Sequence, residues 1–216
     1  MATRAILLDF DGLVCDTERA AFLSWQEVYD SFGLEFEPAV WASMTGHATG
    51  ERYAAAYLAG KLGRPVADEV IARRRDRKQA LADLEPLRPG VRTLLDSAAE
   101  RGIAAAVVSS SDSAWVLGHL ARLGVRDHLA AVITGDQVPK RKPDPDGYLL
   151  ALRTLGVVVS DALAFEDSST GLRAALAAGL RCVAVPSSVA VDPDFTGADR
   201  VLDSLACFEL DPVMAR

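Results

Sequence analysis

The chain has 216 residues, half of them hydrophobic, enough for one large α/β domain or for a core carrying a smaller one. Its formal charge of −7 argues against nucleic acid as the principal partner, because a polyanion is bound by a basic face. Cys15, Cys182 and Cys207 are odd in number, widely spaced and without a CxxC, so no disulfide framework is expected and a reduced, cytoplasmic setting is. Met-Ala-Thr-Arg runs straight into a short apolar strand, too short for a signal peptide, and no apolar stretch approaches the ~20 residues of a membrane span. No membrane partner is therefore expected.

Ala5–Leu8 is an apolar run that stops at Asp9, the pattern of a buried parallel strand feeding a loop. Phe22, Trp25, Tyr29 and Phe32 then recur at three- and four-residue spacing up to Gly33, which predicts an amphipathic helix with a glycine stop. Helical patterns continue to about Leu84, broken at Gly63-Arg64-Pro65. No strand pattern interrupts residues 18 to 84, so this stretch reads as a helical insertion. The run Arg73-Arg-Arg75-Asp-Arg77-Lys78 reads as a solvated helix face, with contact between one of these cations and an anionic substrate as the weaker alternative. Trp25, Tyr29 and Phe32 read as packing within the insertion, and His119 and His128 as structural or exposed.

After Pro86 the rhythm changes. Pro89-Gly90 opens a helix with Val91, Leu94, Leu95 and Ala98 on one face, stopped by Gly102. Ile103–Val108 follows as a strand, and Ser109–Ser111 with Asp112 is placed to cap the next helix, which ends at Gly124. Strands over Ala131–Thr134, Leu163–Phe165 and Cys182–Val185 alternate with helices from about Pro145 to Leu155 and on to Ala178. That alternation predicts a parallel sheet wrapped by right-handed crossovers. Beyond Pro186 the pattern weakens to an edge strand at Arg200–Leu202 and a closing helix.

Polar residues gather where the strands end. The first strand runs into Asp9-Phe10-Asp11-Gly12, the second into Ser109, and the fourth into Glu166-Asp167-Ser168, while Lys142 follows the third. Ligands of open parallel sheets bind at the carboxyl ends of the strands, so these groups are expected to share one crevice. Four acids together repel unless cations sit among them. Lys142 supplies one charge, and Mg²⁺, which takes a few protein oxygens and a substrate phosphate, is the expected second. Asp9 and Asp167 are the preferred side-chain ligands. Asp11 offers its backbone carbonyl, and Glu166 is either a direct ligand or a support for one. In this reading Asp9 attacks phosphorus to form an aspartyl-phosphate, and Asp11 protonates the leaving oxygen and then activates water. Ser109 and Lys142 hold the phosphoryl oxygens, with Ser110 beside them, and Gly12 lets backbone amides approach.

These residues resemble the haloacid dehalogenase superfamily, most of whose members act on phosphate esters. Asp9-Phe-Asp-Gly-Leu-Val-Cys-Asp-Thr-Glu18 is similar to its first motif, Val107-Val-Ser109-Ser-Ser to its second, Lys140-Arg-Lys142-Pro-Asp-Pro145 to its third and Phe165-Glu-Asp-Ser168 to its fourth. Lys142, directly before the proline, takes the lysine position in preference to Lys140. The resemblance implies a Rossmann-like parallel core over residues 1–14 and 87–216 with a small α-helical cap over 15–86. It is nearest to the branch of phosphoglycolate phosphatase-like enzymes and β-phosphoglucomutase, and implies a small phosphorylated metabolite as substrate. In such enzymes the loop corresponding to Thr45-Gly46-His47-Ala-Thr-Gly50 often faces the site, so Gly46 and His47 are candidates for substrate contact, against plain loop exposure.

Phosphate-monoester hydrolysis is the leading expectation and a phosphoglucomutase-type isomerase the nearest rival. The resemblance implies that such mutases carry a histidine early in the first cap helix and an arginine in the cap loop. This chain has Arg19-Ala-Ala-Phe22 and His47-Ala-Thr-Gly50 there, which favours the phosphatase. Dehalogenation has little use for Asp11 or a magnesium site. A phospho-receiver module would place its phosphoacceptor after a later strand and would lack the insertion, and a module that only binds a partner does not account for four filled motifs. Oligomeric state is not legible in the sequence.

Overall fold

The computed structural model describes residues 3–44 and 50–210, so Gly46 and His47 lie outside the described residues. The strands are β1 (Ala5–Leu8), β2 (Ala104–Val108), β3 (Ala131–Ile133), β4 (Ala162–Glu166), β5 (Arg181–Ala184) and β6 (Arg200–Val201). The helices are α1 (Thr17–Ser31), α2 (Pro38–Ala42), α3 (Gly50–Leu62), α4 (Asp68–Ala82), α5 (Val91–Glu100), α6 (Ser113–Arg122), α7 (Asp146–Leu155) and α8 (Ser169–Ala177). Among the described residues the strands form one sheet in the order β3-β2-β1-β4-β5-β6, every neighbouring pair parallel. This is the α/β, Rossmann-like arrangement expected from the alternating pattern.

The register positions the chemistry. Leu8 stands opposite Val107 of β2 and Phe165 of β4, so Asp9, Val108 and Glu166 leave the sheet side by side. Strand β1 is apolar throughout because it is covered on both faces. Ile6 and Leu8 pack with Val91, Leu95, Val116 and Leu120 of α5 and α6. Ala5 and Leu7 pack with Tyr148, Leu152 and Leu172 of α7 and α8.

Helices α1 to α4 fill the stretch without strands and bury an apolar cluster of their own, built on Trp25, Tyr29, Phe36, Trp41 and Leu58. Helix α1 starts where Asp16 accepts from the Arg19 amide (3.3 Å), with Glu18 in its first turn, both favourable at the positive end of a helix. The phenol of Tyr29 donates to the Ala54 carbonyl at 2.9 Å, so its one polar group is satisfied inside the cluster. Two passages join these helices to the sheet. They are tied together where the Arg88 amide donates to Val14 O (3.0 Å) and the Arg88 guanidinium donates to the Gly12 and Pro186 carbonyls. The Trp41 indole adds a third tie, donating to Val189 O at 2.7 Å.

Three local expectations shift. Ile103 stands before β2, because its amide turns back to Ala98 O at 2.8 Å in the Gly102 helix stop. Asp112 occupies the N-cap position of α6, but its carboxylate is taken by Arg141 (2.6 Å) and the Ser113 amide finds Asp136 (3.1 Å). Of the closing helix, the described residues show one 3₁₀ turn at Leu205–Cys207. All three cysteines are free thiols, and no helix among the described residues is long and apolar enough to cross a membrane.

Gly33 and Gly90 both hold left-handed backbone, φ +69° and +89°, in different surroundings. A Cβ at Gly33 meets nothing, whereas one at Gly90 would run into the backbone of Leu205 and Ala206. Gly33→Ala should therefore cost about 1 kcal/mol and Gly90→Ala roughly 3 kcal/mol, read from urea unfolding midpoints. Equal losses would show that the close approach at Gly90 does not constrain the fold.

Candidate active site

The carboxyl ends of β1, β2 and β4 meet at one buried lysine. Lys142 Nζ reaches Asp9 Oδ1 at 2.5 Å, Glu166 Oε1 at 2.6 Å and the Val108 carbonyl at 2.7 Å. Burial pulls the lysine pKa down, but Asp9 and Glu166 outweigh that and hold it above its ordinary value, so the ammonium is firmly charged. Lys140, the alternative lysine, lies on the surface paired with Asp144 at 3.3 Å.

One lysine does not balance the acids around it. Glu166 is fully buried, its Oε1 shared between Lys142 and the Tyr148 hydroxyl, while its Oε2 has no partner. Asp167 Oδ2 is likewise buried without a partner. Asp9, Glu166 and Asp167 each bring one carboxylate oxygen within 4.8 Å of the others. Burial pushes Asp9 well above the usual carboxylate range; Lys142 opposes this, and Glu166 and Asp11 add to it. Asp167 is pushed up by burial together with Asp9, Glu18 and Glu166. Orphaned buried oxygens and unbalanced negative charge are the donor chemistry that a hard divalent cation fits. Gly12 makes room for the group: it is left-handed (φ +85°), and a Cβ there would collide with the Asp167 carboxylate.

Asp11 lies apart from that cluster in a hydrogen-bonded cage. Its Oδ1 accepts from Thr17 Oγ1 (2.7 Å) and Trp115 Nε1 (2.8 Å), its Oδ2 from Ser109 Oγ (3.1 Å) and Ser111 Oγ (2.7 Å). Burial would raise its pKa, but the Lys78 charge and the bonds from Ser111, Thr17 and Trp115 outweigh it and hold the group below its ordinary value. The Ser109 hydroxyl, expected on phosphate, is turned to Asp11 and also accepts the Ser111 amide at 2.9 Å. The neighbouring Ser110 hydroxyl lacks a partner, and Ser110 lines the cavity.

The cavity, about 430 Å³, lies between the sheet edge and the helical insertion. Its floor carries Asp9, Asp11, Lys142 and Asp167, and its far wall Glu18, Trp25, Trp41, Arg74 and Lys78. The reading of residues 73–78 as a solvated face is thereby corrected at two positions. Arg74 is buried, donates to Glu51 at 3.0 Å and lies 4.8 Å over the Trp25 ring. Lys78 sits 4.2 Å over the Trp115 ring. Arg74, Lys78 and the buried Ala82 share one face of α4 at four-residue spacing, while Arg75 and Arg77 point outward to Glu51 and Glu27. That spacing was the available signal. Glu18, Thr17, Ser111 and Trp115 were not singled out for the site either, although Glu18 closes the first motif. Burial beside Asp11 pushes the Glu18 carboxyl up to about 7. His119 is buried against Trp115 and Arg122, and His128 pairs with Asp96 at 3.0 Å, both away from the floor.

Known proteins share this architecture. The YhcW protein of Bacillus subtilis is 38% identical over 96% of this chain and 94% of its own. The fructose-1-phosphate phosphatase YqaB of Escherichia coli is 33% identical over 83% of this chain and 95% of its own. The crystal structure of CbbY from Rhodobacter sphaeroides in complex with phosphate superposes with a TM-score of 0.75 at 33% identity, covering 95% of this chain and 96% of that one. The sequence profile described as "Haloacid dehalogenase-like hydrolase" matches residues 6–185, which takes in Asp9, Lys142 and Asp167. This chain belongs to the haloacid dehalogenase-like hydrolase family.

Proposed function

We propose that the chain is a magnesium-dependent phosphatase acting on a small phosphate monoester through an aspartyl-phosphate on Asp9. The observation that carries this reading is the Asp9 carboxylate, held by Lys142 on the floor of the cavity beside two partnerless carboxylate oxygens. Asp9, Asp167 and Glu166 would hold the ion, with the Asp11 carbonyl as a further donor. When bound, magnesium supplies charge neutralisation of the phosphoryl oxygens.

Asp9 then attacks phosphorus, the bond to the leaving oxygen breaks, and Asp11 gives that oxygen its proton, leaving a mixed anhydride on Asp9. In the second half, Asp11 takes a proton from water as the water oxygen attacks phosphorus, which frees phosphate and restores both aspartates. The Asp11 cage favours the ionised form and suits the second half. Donating a proton in the first half requires one of its four bonds to be given up or reversed. Lys142 and the Ser110 hydroxyl hold the phosphoryl group, and Ser109 orients Asp11.

Residues 15–86 act as the cap over a core of 1–14 and 87–216. Two relatives bear the names phosphorylated carbohydrates phosphatase and fructose-1-phosphate phosphatase, which supports a sugar phosphate as substrate. The far wall, with Glu18, Arg74 and Lys78 beside aromatic rings, suits a hydroxyl-bearing body. A mutase is disfavoured because Ala20 and Ala21 fill the early α1 positions and offer no imidazole.

Purified protein with Mg²⁺ should release phosphate steadily from one class in a panel of sugar phosphates. Isomerised product without free phosphate would point to the mutase instead. Asp9→Asn should lower turnover by about 10³-fold or more, and rapid quenching with labelled substrate should leave hydroxylamine-labile label on the wild type only. Wild-type turnover by Asp9→Asn would sink the mechanism. Mg²⁺ should also raise the melting temperature of the resting protein, by less in Asp167→Asn, and chelation should stop turnover. Unchanged melting and full activity after chelation would exclude the metal assignment.

A further inference from the structure

Helix α4 brings the Arg74 charge into the far wall of the cavity, and α3 brings an acid to meet it. Arg74 lies 4.8 Å over the Trp25 ring, and its Nη1 donates to Glu51 Oε2 at 3.0 Å. Glu51 stands in the first turn of α3 and itself lines the cavity. Its other oxygen, Oε1, accepts from Nε of the exposed Arg75 at 3.0 Å. The remaining cations of the wall are matched in the same way. Arg141, which also lines the cavity, is held by Asp112 at 2.6 Å. Lys78, over the Trp115 ring, lies close enough to Asp11, Glu18 and Glu51 to favour their ionised forms. Among the described residues, every cation lining the cavity above Lys142 thus has an acid beside it, and residues 45–49 contain no lysine or arginine.

This pairing decides what kind of substrate body the wall accepts. A second phosphate or a carboxylate must leave water to enter the cavity, and only a cation that is not already neutralised offsets that loss. The attraction of Arg74 for such a group is opposed by the repulsion of Glu51 beside it. A neutral hydroxyl meets no such opposition. The guanidinium has N–H donors beyond the one on Glu51, and the carboxylate accepts. We propose that Glu51 is a specificity-determining residue: by neutralising Arg74 it confines the site to phosphate monoesters with an uncharged, hydroxyl-bearing body, and turns away esters that carry a second phosphate or a carboxylate. The proposal rests on the phosphatase reading given above.

Matched pairs of substrates test this. Fructose 1-phosphate and fructose 1,6-bisphosphate differ by the second phosphate, and 2-hydroxyethyl phosphate and phosphoglycolate by the carboxylate. On the magnesium-loaded enzyme, kcat/KM should favour the member without the extra anion by about 10-fold or more. Glu51→Gln keeps the size and an acceptor but removes the charge. It should shrink that preference by about 10-fold, chiefly through a lower KM for the member with the extra anion, and the change should fade at high salt. Adding Arg74→Gln to Glu51→Gln should restore the preference, because the released cation is gone. Each preference is a ratio within one protein, so a loss of folded material lowers both rates and leaves it unmoved.

A wild type indifferent to the extra anion, or a Glu51→Gln preference equal to that of the wild type, would overturn the assignment while the phosphatase reading stands. So would a gain that survives Arg74→Gln. If no monoester in the pairs or the sugar-phosphate panel yields phosphate, the phosphatase reading fails and the assignment with it.

Discussion

Lys142 is the charge around which the carboxyl edge of the sheet is organised. It reaches the site from the loop after β3, yet its three acceptors belong to β2, β4 and the residue after β1. One ammonium thus binds three strand ends together as well as neutralising two acids. Breaking a buried ion pair of this kind leaves an uncompensated charge worth about 3–5 kcal/mol, so the arrangement is as much a constraint on folding as on chemistry. The remaining acids make the same point from the other side. With Asp9 and Asp167 both pushed upward and two oxygens lacking partners, the protein is built with more negative charge than it balances alone. That excess, with its partnerless oxygens, is the donor chemistry of a hard-cation site.

The two aspartates of the first motif live in different electrostatic worlds although one residue separates them. Asp9 is buried beside other acids and held by a single cation, whereas Asp11 is surrounded by neutral donors with Lys78 near by. Burial dominates the first, and charge with hydrogen bonding the second, which pushes their proton affinities in opposite directions. Two carboxylates one residue apart are thus made chemically distinct by their surroundings alone.

The sheet and its strand-end acids were legible because they are written locally. Ala5–Leu8 before Asp9 and Leu163–Phe165 before Glu166 are apolar runs that end on acids, and parallel topology brings such ends together. Choosing Lys142 over Lys140 needed only the neighbouring proline, and the structure buries the one and exposes the other. What stayed hidden depends on long-range contact. Nothing near Asp112 reveals that Arg141 will claim its carboxylate, nor that Asp136 will cap in its place. A run of cations looks solvated until α4 is laid across α1 and turns Arg74 and Lys78 inward. Ser109 was recognisable as a site hydroxyl, but its turn toward Asp11, leaving Ser110 to the cavity, is a matter of side-chain rotation that no motif encodes.

Arg88 ties the helical insertion to the sheet through main-chain oxygens. Its guanidinium joins the Gly12 carbonyl to that of Pro186, and its amide holds Val14, so both passages into the helices are clamped where they leave the sheet. Beyond that clamp the helices keep a separate apolar interior. The acceptors are main-chain oxygens, which substitution cannot remove, so the guanidinium of Arg88 is the one side-chain group in the clamp that a single exchange could take away.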